Sequence, residues 1–231
     1  MTSPTASQPL FWPAAAWLAT AIAGFIAPVT ALLILANTPA SPPVAVAVSP
    51  ILALGMMGAG IIAASIIGKF WTGVGLALLN AVCLFGVSIA VGAPLQVGAA
   101  FALAALIASL SFAARGALFA LSGAGKGWLI ALFVVAGEAA ILLTAMAMPD
   151  ALPGWLLALL PAQWANMALA AALDGVGLGK AVWALIALAA TALATLLVVR
   201  LWPKRWTYSV MFTTWIAMSA LVYYQPGVIL G

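Results

Sequence analysis

The chain has 231 residues, of which 68% are apolar and 4% charged, with seven Lys or Arg against three Asp or Glu. That leaves too little polar surface to cover a water-soluble globule, and a mean hydropathy of +1.30 places the chain among multi-pass membrane proteins. One cysteine and no histidine exclude disulfide frameworks, paired-cysteine redox chemistry, histidine-ligated metals and Ser-His or Cys-His catalysis; the net charge of +4 is scattered between apolar runs and forms no patch for nucleic acid.

Residues 1–12 read as a short disordered tail without the basic n-region of a cleaved signal peptide. A single transmembrane helical domain over 13–231 is expected to follow. Apolar runs fall at 13–36, 45–68, 71–93, 97–121, 127–149, 154–172, 181–201 and 208–229, most of them long enough to cross about 30 Å at 1.5 Å per residue. No period-two alternation suggests a β-barrel. The fold class is therefore all-α, a polytopic transmembrane helix bundle.

The run 154–172, GWLLALLPAQWANMALAAA, is interrupted by Pro161, Gln163 and Asn166. If it crosses, all eight runs span, and Lys69, Arg115, Lys126 and Lys180 lie opposite Arg200, Lys204 and Arg205, four against three. If it dips in and returns, six of these residues share one side and only Lys180 lies opposite. Lys and Arg accumulate in cytoplasmic loops, which favours seven crossings plus one broken or re-entrant element, with the N-terminus in the cytoplasm and the chain in the cell's inner membrane. Gln163 and Asn166 are then placed to satisfy some of the backbone groups that a break exposes at membrane depth.

Other features read as structural. Gly60, Ala64 and Gly68 recur every four residues and form a small-residue face for a neighbouring helix. Cys83 reads as a small apolar packing residue. Trp12, Trp71, Trp128, Trp155, Trp202 and Trp206 sit at expected helix ends, the headgroup level. The segment GVGLGK, 175–180, lacks phosphate-loop spacing and reads as a turn, while WPKRW, 202–206, is a basic loop suited to anionic lipid headgroups. Asp150 and Asp174 stand apart without partners, so no catalytic constellation, metal site or cofactor site is recognisable.

Glu138 lies near the centre of the run 127–149, and a charge there costs about 2.5 to 3.5 kcal/mol unless it is paired or protonated. The run 97–121 carries Arg115 and is joined to its successor by a short turn, so the two form an antiparallel hairpin. Two arrangements follow: an Arg115–Glu138 ion pair, or an Arg115 that snorkels while a protonated Glu138 bonds to Thr144, Asn80 or Ser88. Arg115, Glu138, Asn80, Gln163 and Asn166 are together the candidate intramembrane polar or transport site.

The order of spans, the broken ALPGWLLALLPAQWAN and the inner LWPKRW resemble the permease subunits of ABC-2-type exporters, chiefly over 127–205. No charged amphipathic helix is expected within the residues ahead of the first span. The resemblance implies a dimeric permease energised by a separate ATPase. Independently of it, a transport permease or channel subunit is the first expectation, and a non-catalytic scaffold or assembly subunit of a larger membrane complex the alternative. Either would work among membrane lipids, as a homo-oligomer or with other membrane subunits.

Overall fold

The computed structural model describes residues 11–38, 44–93, 98–123, 125–175 and 178–224, and no strand occurs among them. The expected tail lies outside the described residues except for Phe11 and Trp12, which open the first helix. The first span is α1 (Phe11–Ala21), a π turn (Ile22–Ile26) and α2 (Ala27–Asn37). Then come α3 (Val44–Ile67), α4 (Phe70–Ala90), α5 (Ala99–Ser122), α6 (Gly127–Ala147), the short α7 (Gly154–Ala158), α8 (Pro161–Leu173), a 3₁₀ turn (Leu178–Ala181), α9 (Val182–Arg200) and α10 (Trp206–Tyr223).

Among the described residues, six helices are long and apolar enough to cross a membrane: the first span, α3, α4, α5, α6 and α9. Of the two remaining runs, one forms α10, of 18 residues and interspersed with Thr, Ser and Tyr. The other, 154–172, is broken, and its longer piece α8 has 13 residues, about 20 Å at 1.5 Å per residue and too short to cross.

Helix α3 is the axis of the bundle, buried from Ala47 to Ser65 and flanked by the first span, α4, α5, α6 and α8. Lipid tails are as apolar as leucine side chains, so close van der Waals approach rather than water exclusion holds such helices together. The small-residue face does this within the chain. Gly60 and Ala64 meet α4 at Gly73 and Ala77, and a Cβ on Gly116 of α5 would stand 2.7 Å from Ala64 Cβ and clash with the Ile61 carbonyl. Gly68 belongs to the turn that follows, at φ +70°, a conformation open to glycine.

The π turn in the first span has a local cause and a distant remedy. Pro28 has no N–H to offer the Gly24 carbonyl one turn earlier, and Asn80 Nδ2 of α4 donates to that carbonyl at 2.6 Å. Asn80 is thereby a structural partner of a proline-disrupted helix. Two readings of single residues change in three dimensions. Trp71, Trp155, Trp202 and Trp206 are exposed near helix ends, but Trp128 is buried, 8% exposed, against the bundle. Cys83 is exposed on the outer surface of α4 and is not part of the interior packing.

Candidate functional site

The break between α7 and α8 leaves backbone groups without helical partners, and outside water each such group costs about 1 to 3 kcal/mol when buried. Long side chains answer them. Trp164 Nε1 donates to Ala158 O at 2.9 Å, and Trp215 Nε1 of α10 donates to Leu159 O at 3.2 Å. At the start of α8, Pro161 has no N–H, Gln163 and Trp164 donate to Leu160 O, and the Ala162 N–H donates to Glu138 Oε2 of α6 at 2.9 Å. Glu138 is therefore the cap of a half-helix supplied from another helix, where the partial positive charge of the helix N-terminus favours a carboxylate.

This corrects two expectations. Gln163 and Asn166 do not serve the break: Asn166 Nδ2 donates to Gln163 Oε1 at 3.1 Å, and Asn166 Oδ1 is buried without a partner among the described residues. Nor is there a direct Arg115–Glu138 ion pair among the described residues; Arg115 Nη1 is buried without any hydrogen-bond partner. The offset along the hairpin explains this. Arg115 is seven residues from Ser122 and Glu138 eleven from Gly127, about 10 and 17 Å into the bundle, and the Ala162 N–H occupies the carboxylate from the far side. Glu138 also bonds to none of Thr144, Asn80 and Ser88, the last of which donates to Leu84 O at 2.8 Å.

Beneath the break is a cavity of about 700 Å³. Its walls come from the C-terminal half of α5 (Arg115 to Ser122), the N-terminal half of α6 (Ile130 to Glu138), Thr191 and Thr195 of α9, and Tyr208 to Trp215 of α10, and its roof is Leu156 to Pro161. These halves meet only if the α5–α6 and α9–α10 turns share one end of the bundle. Helix α8 runs the other way, from Glu138 at mid-depth to the 3₁₀ turn that opens α9. The segment 148–173 thus begins and ends at the far end of the bundle, with its break beside Glu138. Lys126, Arg200, Lys204 and Arg205 are exposed at or beside the near turns, while Asp150 and Asp174 stand at the far end.

The structure therefore joins Arg115 and Glu138 at one cavity, puts Gln163 and Asn166 beyond its roof in α8, and puts Asn80 elsewhere, in a groove with Trp17, Thr20 and Cys83. Sequence reading missed Thr191, Thr195 and Trp215. The two threonines are four apart, the spacing of one helix face, but both hydroxyls donate to carbonyls of their own helix, and nothing local marks that face as lining a cavity. No group of three or more His, Cys, Asp or Glu able to hold a metal occurs among the described residues. Compared with known proteins, the chain matches no family model, no curated protein and no solved structure.

Proposed function

We propose that this multi-pass bundle is a transport permease whose substrate chamber is the cavity under the α7–α8 break. The observation that carries this reading is a hydrogen-bonded helix break at mid-depth, standing over a cavity that holds an arginine and a glutamate. Irregular backbone is tolerated at that depth where protein or a cavity surrounds it, and discontinuous helices meeting charged side chains at the midplane are how many transporters build their sites. On this reading the chain crosses seven times, α10 included, with the N-terminus and the Lys126 and Lys204 loops in the cytoplasm. The Glu138–Ala162 bond is a latch: releasing it frees the tip of the re-entrant segment to move against α6 and α10.

The test is movement across a bilayer. Proteoliposomes are given fluorescent amphiphiles with anionic, neutral or cationic heads, and the outer leaflet is bleached with dithionite. The expected result is protein-dependent movement of at least one class, about tenfold above protein-free vesicles, and its loss in Glu138→Leu. If no class moves and the chain purifies from its native membrane within a stable multi-subunit complex, the scaffold reading replaces this one.

A further inference from the structure

The 700 Å³ cavity has an uneven chemistry. Leu118, Phe119, Ile130, Phe133, Val134 and Phe212 make most of its wall apolar, so it suits a hydrocarbon chain rather than a hydrated solute. Its volume lies within the roughly 300 to 1,000 Å³ of pockets that enclose one small ligand. Of its two charged groups, Glu138 is engaged by the α8 N-terminus, whereas Arg115 keeps a buried Nη1 without a partner. A buried guanidinium N–H with nothing to bond is unusual, and beside a cavity it points to an absent acceptor. Lys126, Arg200, Lys204 and Arg205 are exposed around the near end of the cavity, and both exposed acids are at the other end, a field that gathers anions there.

We infer that the cavity takes a single-chain amphiphile with an acidic head, its carboxylate or phosphate oxygens accepting from Arg115 and its chain lying along the α6 and α10 walls. That this amphiphile is carried, rather than only held, rests on the permease reading above. The guanidinium fork gives two parallel N–H bonds to either head, and the apolar wall excludes the water that would otherwise compete for them. A quaternary ammonium head has no acceptor to offer Arg115, and a hydroxyl head can take only one bond without charge assistance.

Binding is separable from transport. The full chain in phosphatidylcholine nanodiscs is titrated with dodecanoate, dodecyl phosphate, dodecanol and dodecyltrimethylammonium, and saturable binding above that of empty nanodiscs is measured. At least one of the two anions is expected to bind, its identity naming the head, with the neutral chain weaker by about tenfold or more and the cationic chain weakest. Arg115→Gln should weaken the anion by at least about tenfold. Since burial makes Arg115 a risky site for folding, Gly137→Leu is the second variant. Gly137 lines the cavity with nothing within 4 Å of an added Cβ, so leucine should block binding while the thermal midpoint is kept. Equal binding of all four probes, or anion binding unchanged in a folded Gly137→Leu or Arg115→Gln protein, overturns the inference. Anion-selective binding without flux leaves the site standing and removes the permease reading; flux of other probes without binding of either anion does the reverse.

Discussion

Helices α3, α4 and α5 and helices α6 to α10 are built on opposite plans. In the first group the backbones press together. Along the span window of α3, 89% of residues are buried, and a Cβ added at Gly73 would stand 2.7 Å from both Ala64 Cβ and the Gly60 carbonyl. In the second group only 17% of the corresponding window of α6 is buried, and Gly137 faces open space. The difference shows what holds each part. Where small residues let helices touch, van der Waals contact between the backbones holds them together. Where a cavity is kept open and a helix is broken, polar side chains must close the backbone's hydrogen bonds, and Glu138, Trp164 and Trp215 do so.

The sharpest way to break this contrast is to enlarge a glycine in the tight region. Gly116→Leu should cost more than any change around the cavity, about 3 kcal/mol or more, because its side chain meets the Ile61 carbonyl and Ala64, which have nowhere to go. A thermal midpoint in detergent unchanged from the parent protein would mean that α3 and α5 are not held by contact. Even Gly116→Ala should destabilise, although alanine is favoured over glycine in a helix by about 1 kcal/mol.

A smaller effect is expected at the cavity roof, from polar loss rather than overpacking. Glu138→Leu leaves the Ala162 N–H buried and unpaired and should cost about 1 to 3 kcal/mol, while Glu138→Gln keeps an amide oxygen for that N–H and should retain most of the stability. Equal loss in both would show that charge, not the hydrogen bond, is what α8 needs. The smallest effect is assigned to Trp215→Phe, which keeps the ring's bulk against α7 and removes the donor to Leu159 O; about 1 kcal/mol is expected. Hydrogen exchange at the α7–α8 junction should rise in this variant with α3 to α5 unaffected, and a rise spread over the whole bundle would deny that the two regions are independent.

The helices and most of their ends were legible in the sequence, since an apolar run of sufficient length, a proline or a glycine turn acts on its own neighbours. The run 154–172 could be read as broken for the same reason, with Pro161 unable to continue a helix begun before it. The Gly60–Ala64 face was legible as a contact surface, though not which helices it would meet. The sequence also singled out Arg115 and Glu138 as the charges that a membrane interior must account for.

Only the tertiary structure decided how they are accounted for. Glu138 caps a helix 24 residues away and Asn80 serves a carbonyl 56 residues away. Hairpin geometry suggested Arg115 as the partner of Glu138, but an unsatisfied helix N-terminus lay closer and at the right depth. Such pairings depend on which backbone groups a distant break has left empty, and neither hydropathy nor residue spacing records where in space those groups come to rest.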